Sequence, residues 1–264
     1  MEKKVALVTG GSRGIGQGIV SVFVRNGATV VFCSEEQETS EIHHFVHMTN
    51  SEGLGICEFV TCDLTKESDI KKLVVYTVAK YSRLDCLVNN AAAHPLHMPI
   101  EGFSANDFRT LFELNVMAYF LTAKYSLAHL RKHAGNIINI TSLVNQLGQK
   151  HAVTYCATKG AVTAMTKALA IDEAKYGVRV NCISPSCIWT TMFERATMST
   201  PNPKKAINDG AAQQLVGRFG TPEEVGEAAL YLATKATFCT GTDLNVTGGA
   251  ELNFGIKTQV TDIN

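Results

Sequence analysis

The chain has 264 residues, 45% of them hydrophobic, with 24 basic side chains balancing 24 acidic ones. That length suits one large α/β domain or two small ones. The balanced charge gives no field toward nucleic acid or an anionic membrane, and no run of about 18 apolar residues is present to span a bilayer. The opening MEKKVALVTGG lacks the longer apolar stretch and small-residue cleavage site of a signal peptide. Eight scattered cysteines show neither C-x-x-C nor zinc spacing. A cytoplasmic protein with reduced thiols is the expectation.

Apolar, β-rich runs at 4–9, 28–33, 56–62, 84–89, 135–141, 178–184 and 242–246 alternate with helical patterns at about 15–26, 37–50, 66–81, 104–132, 154–175 and 221–233. The strands are continuous apolar runs, so both of their faces are buried and a parallel sheet covered by helices is expected. Seven strands with right-handed crossovers make a doubly wound α/β fold, with no domain boundary over residues 1–264. Residues 187–212 break the alternation. Trp189, Met192, Phe193 and Met198 in that stretch predict an amphipathic flap over a pocket.

TGGSRGIG, from Thr9 to Gly16, joins the first strand to the first helix. Gly10, Gly14 and Gly16 suit a tight turn with close backbone approach to a pyrophosphate. The helix N-terminus that follows supplies free N–H groups and a positive dipole end for phosphates. At the tip of the second strand, VVFCSEEQ ends in Ser34, Glu35 and Glu36, where an adenosine ribose would arrive.

TYCATKG sets Tyr155 and Lys159 at i and i+4 on one helix face. An ammonium beside a phenol favours the phenolate, which can take a proton from an alcohol. Ser142, at the end of the strand NIINITS, can hold the reacting oxygen through its hydroxyl. Asn115 is a polar residue inside an apolar helix and needs a backbone or water partner. His43, His44 and His47 form no metal site, because no Glu or Cys completes one.

TGGSRGIG, NNAA at 89–92, Asn115, Ser142, YCATK and NCISPS at 181–186 stand in the order of the short-chain dehydrogenase/reductase family, which the chain resembles over about residues 4–250. The resemblance implies a single Rossmann domain with strand order 3-2-1-4-5-6-7. It implies hydride transfer between a nicotinamide and a carbinol or carbonyl carbon. Tyr155 would be the acid/base, with Lys159 lowering its pKa and binding the nicotinamide ribose. Ser142 would orient substrate, and Asn115 would hold a water in a proton relay. Gly10, Arg13, Gly14, Ile15, Gly16, Ser34, Asp63, Leu64, Asn89, Ile188 and Thr190 would serve the cofactor. Asp63 would meet the adenine, and Asn89 would fix the central strand.

Longer stretches, such as ATKGAVTAMTKALAIDEAKYGVRVNCISP, resemble members that oxidise a steroid 17β-hydroxyl or the anomeric hydroxyl of L-fucose. His94, Gln149 and Trp189 would then contact this small-molecule substrate. Family members are usually homotetramers, and the polar tail 250–264, with Phe254, would close a neighbouring subunit's pocket.

Two residues depart from the family pattern. Ala92 and Ser186 replace glycines, which raises the question of crowding or of a positive φ at each. NAD is the expected cofactor, because Glu35 and Glu36 repel a 2′-phosphate. NADP stays open, since Ser34 replaces the usual acid and Arg13 can attract phosphate. The alternatives are a non-catalytic dinucleotide-binding module and an NADP-dependent carbonyl reductase.

Overall fold

The structure is a computed structural model, and it describes residues 1–252. Seven strands form one parallel sheet: β1 (Val5–Thr9), β2 (Thr29–Ser34), β3 (Ile56–Thr61), β4 (Cys86–Asn89), β5 (Asn136–Ile140), β6 (Arg179–Pro185) and β7 (Asp243–Val246). Their order is β3-β2-β1-β4-β5-β6-β7. Both the expected strand set and the doubly wound architecture are present.

Alternate residues of each strand serve opposite layers, as the pleat requires. Ala6 and Val8 of β1 join a core with Ile19 and Phe23 of α1 (Gly14–Arg25) and with Val225 and Leu232 of α10 (Pro222–Thr234). Leu7 faces the other way. It packs in a second core with Leu73 of α3 (Glu67–Tyr81), Leu127 of α5 (Ala118–Leu130) and Ala170 of α7 (Val153–Glu173). Covering both faces accounts for the unbroken apolar runs in the sequence. Helix starts follow local chemistry. Thr39 caps α2 (Ser40–Glu52) by accepting from the Ile42 N–H, and Thr221 with Glu224 forms a capping box before α10.

The expected helix 104–132 is not continuous. It divides into α4 (Ala105–Phe112), a π-helical segment (Glu113–Met117) and α5. The inserted residue shifts the helix face at Asn115, and such bulges recur at functional sites. A short helix, α6 (Val144–Leu147), follows β5. The stretch 187–212 folds as α8 (Thr191–Met198) and α9 (Pro203–Ala211). Most of the tail 250–264, including Phe254, lies outside the described residues.

Crossovers from β1 lead to β2 on one side and, through β3 and α3, to β4 on the other. The order therefore reverses between β1 and β4, and the carboxyl ends of these strands flank a crevice that such sheets use for ligands.

Candidate active site

The first turn lies in that crevice. Gly10 has φ of +65°, and a Cβ on Gly16 would stand 2.1 Å from the Gly10 carbonyl oxygen. The side chain of Asn90 braces the turn by donating to Thr9 O at 3.0 Å and Gly10 O at 2.9 Å. This tight turn opens α1 at Gly14, whose free N–H groups would form a cradle for phosphate. Ile15 packs on the core. Thr190 caps α8 by accepting from the Phe193 N–H, and its methyl faces Gly14, so the flap begins over the first turn.

At the tip of β2, Ser34 Oγ is buried and has no hydrogen-bond partner. A buried hydroxyl left unpaired is costly, and a ligand hydroxyl would satisfy it. Arg13 reaches across the tip to Glu36, with Nη1 2.7 Å from Oε1. Asp63 accepts from the N–H and hydroxyl of Thr65 and pairs with Lys66. These partners hold its carboxyl down at about 2. Leu64 is buried in the second core.

Asn89 is fully buried. It donates to Asn139 Oδ1 at 2.9 Å and accepts from Thr122 at 2.6 Å. Its side chain ties β4 to β5 and α5, while Asn90 next to it faces the turn. The sequence reading missed Asn90. The signal was the doubled asparagine, since successive strand residues point to opposite faces.

The reacting groups lie at the ends of β5 and α7. Lys159 is 2% exposed and donates to Ile140 O at 2.8 Å. Its ammonium is 5.7 Å from the centre of the Tyr155 ring. Burial drives the Lys159 pKa down to about 7. Burial also raises the Tyr155 phenol to about 12, and a hydrogen bond with Ser142 opposes that rise. The hydroxyl that pulls Tyr155 toward ionisation is thus that of Ser142.

Asn115 is fully buried. Its amide donates to Ala93 O at 3.0 Å and Thr158 Oγ1 at 3.2 Å, and its oxygen accepts from Ala93 N–H at 2.9 Å. Both N–H groups are spent on protein, which leaves one lone pair of the oxygen for a water. The π-segment carries this side chain to the backbone after β4.

His94 lies against Tyr155 with ring centroids 4.2 Å apart, and its Nδ1 is 2.8 Å from Pro95 O. A carbonyl partner makes Nδ1 the donor, so Nε2 is the acceptor of the neutral ring. Gln149 is exposed and lines a cleft of about 340 Å³ with Met98, Ile100, His151, Val153 and Cys156. His151 holds a positive φ of 62° there, and its carbonyl accepts from Met98 N–H.

Trp189 stands apart from that cleft. It packs on Phe193 and Phe219, with centroids 6.0 and 5.2 Å away, and lines another cleft of about 400 Å³ with Gly14, Gln17, Phe45 and Pro222. Ile188 is buried and bridges to Gly220.

Neither departure from the family pattern is strained. Ala92 and Ser186 are absent from the residues with positive φ. Ser186 donates to Thr247 O at 2.9 Å and so ties the base of the flap to the end of β7.

A fold of this order, with a glycine turn at the switch point and a Ser–Tyr–Lys set beside it, defines a nicotinamide-dependent oxidoreductase. The chain belongs to the short-chain dehydrogenase/reductase family. A family profile described as enoyl-(acyl carrier protein) reductase matches residues 10–251. Among curated proteins, the L-fucose dehydrogenase of Bos taurus is 52% identical over 96% of this chain and 92% of its own length. That of Rattus norvegicus is 51% identical over the same shares. Among solved structures, the aldohexose dehydrogenase of Thermoplasma acidophilum superposes with a TM-score of 0.86 at 29% identity, covering 97% of both chains. The Cj0485 dehydrogenase gives 0.87 at 33%, covering 94% of both. The protein is therefore an NAD(P)-dependent oxidoreductase that interconverts an alcohol and a carbonyl.

Proposed function

We propose that this protein uses NAD to oxidise the anomeric hydroxyl of a small sugar of the L-fucose type, with Tyr155 as the base. The observation that carries the reading is the buried Lys159 behind the Tyr155 ring and His94 upon it, with the Ser142 hydroxyl opposing the burial-driven rise of the phenol. The names of the curated relatives support the sugar.

The nicotinamide supplies the hydride acceptor when bound. Tyr155, as phenolate, takes the proton of the substrate hydroxyl. Ser142 donates to the reacting oxygen as negative charge gathers there. Lys159, held to Ile140 O behind the Tyr155 ring, would steady the phenolate when protonated and bind the nicotinamide ribose. Asn115 pins Ala93 and the segment leading to His94, whose Nε2 accepts from a neighbouring sugar hydroxyl. Gln149 offers a further amide at the cleft. The turn at Gly10, Gly14 and Gly16 would hold the pyrophosphate, with Thr190 facing it from the flap and Ile188 beside it just past the end of β6. The carboxylate of Asp63 would hold the adenine amino group.

The unpartnered Ser34 hydroxyl supports a ribose hydroxyl at the tip of β2. Glu36 occupies Arg13, the cation that a 2′-phosphate would need, which favours NAD over NADP. A cytoplasmic homotetramer completes the reading. Eight free cysteines support the compartment. Exposed Phe108, Phe120 and Ile171, on α4, α5 and α7, support helix faces for assembly.

A second reading takes a 17β-hydroxysteroid, and the apolar side chains of Met98, Ile100 and Val153 in the Gln149 cleft favour it. Initial rates with L-fucose and estradiol, each with NAD and NADP, test both. The expected order puts L-fucose with NAD first. Cofactor binding without turnover of any alcohol would overturn the oxidoreductase mechanism and leave a dinucleotide-binding module.

A further inference from the structure

Ser142 stands at the start of a short turn whose backbone is tied to β6 by the Leu143 N–H, which donates to Pro185 O at 2.9 Å. α6 has only four residues and no side-chain cap. Its side chains are held from β7, at the far edge of the sheet. Asp243 Oδ2 accepts from Asn145 Nδ2 at 2.9 Å and from Gln146 Nε2 at 3.0 Å, and its Oδ1 accepts from Ser184 Oγ at 2.6 Å. The amide of Asn145 also donates to Thr163 Oγ1 at 2.6 Å, and Thr163 in turn donates to Lys159 O at 3.0 Å. Ser184 is fully buried and stands 2.8 Å from Thr141 Oγ1, one residue before Ser142. The Ser184 proton goes to the carboxylate, and the Thr141 hydroxyl also lies 2.8 Å from Ile183 O, to which it donates.

We propose that Asp243 is a positioning residue that fixes Ser142 against Tyr155. Its carboxylate joins three elements: the turn that carries Ser142, the strand β6, and, through Asn145 and Thr163, the helix that carries Tyr155 and Lys159. Asp243 touches no reacting atom. Charge-assisted bonds are about twice as strong as neutral ones, which suits a carboxylate to this anchoring role. A displacement of Ser142 by about 1 Å relative to Tyr155 would slow turnover by ~100-fold.

The inference rests on the assignment of Ser142 to the reaction, and the test separates the two. Turnover is measured for wild type, Ser142→Ala, Asp243→Ala and the double variant, with whichever of L-fucose, estradiol and cyclohexanol the wild type oxidises. Asp243→Ala should lower kcat ~10- to 100-fold and leave the KM for NAD within about twofold, because the cofactor turn makes no contact with this network. In the Ser142→Ala background the same change should alter kcat by less than about twofold. An equal loss in both backgrounds, or no loss in wild type, would overturn the proposal. No loss in Ser142→Ala alone would instead overturn the role given to Ser142.

Asn145→Ala cuts the same link from the other end and serves where Asp243→Ala does not fold. A second readout needs no substrate. The ring signal of Tyr155 in tyrosine-labelled protein, identified by its loss in Tyr155→Phe, should move in Asp243→Ala as it moves in Ser142→Ala. An unmoved signal in Asp243→Ala, beside a moved one in Ser142→Ala, contradicts the proposal.

Discussion

Lys159 donates to the carbonyl of Ile140 at 2.8 Å, so the buried ammonium is anchored to the last residue of β5. Burial is what lowers its pKa from 10.5 to about 7. Between these two values the unfolded chain holds one more proton than the folded chain. Stability therefore rises with pH through that window. Lys159→Met removes the titrating group. We expect urea unfolding at pH 6, 8 and 9.5 to show wild type gaining on the variant at each step, while the variant loses turnover. Parallel stability curves would contradict the burial of an ionisable lysine.

Ser142 opposes the burial-driven rise of the Tyr155 phenol. Without that hydroxyl the phenol holds its proton to higher pH, and oxidation needs the phenolate. Ser142→Ala should move the rising limb of log kcat/KM against pH upward, and at pH 8 activity should fall at least about tenfold. A limb that stays in place, with only its height reduced, would assign Ser142 to substrate binding alone.

Arg13 and Glu36 are both exposed, so their ion pair is worth little to stability. Its consequence is for selectivity. Glu36→Gln should free the guanidinium and raise the ratio of kcat/KM for NADP over NAD by ~10-fold, without a change in unfolding midpoint. Kinetics with both cofactors check this, and an unchanged ratio would remove Arg13 from cofactor discrimination.

A methyl group on Gly16 would collide with the Gly10 carbonyl and with Asn90 Nδ2, which stands 2.5 Å from it. Overpacking of this kind costs about 1–3 kcal/mol. Gly16→Ala should lower the Tm by several degrees and weaken cofactor binding in a calorimetric titration.

The strands were legible because continuous apolar runs report burial on both faces. The glycine turn and the Tyr155–Lys159 pair were legible because local spacing alone sets them. The interruption at Asn115 was not, because one inserted residue leaves an apolar helix looking periodic. Its cause is a set of bonds to Ala93 and Thr158 that are distant in sequence. Trp189 read as a pocket residue from its flap, and its aromatic partner Phe219 comes from beyond that flap. Asp243 was read as part of the strand TDLNV. The signal was a carboxylate opening a strand in a covered parallel sheet, which calls for a partner. Its partner Asn145 is 98 residues away, and no local pattern names it.

The central claim is that the Tyr155 phenol moves the substrate proton. Tyr155→Phe removes one oxygen atom and keeps the ring against His94. Turnover of the variant and wild type, measured beside NAD affinity by calorimetry, tests it most directly. We expect turnover to fall by ~10²- to 10⁴-fold with NAD affinity retained. Equal turnover in the two proteins would contradict it.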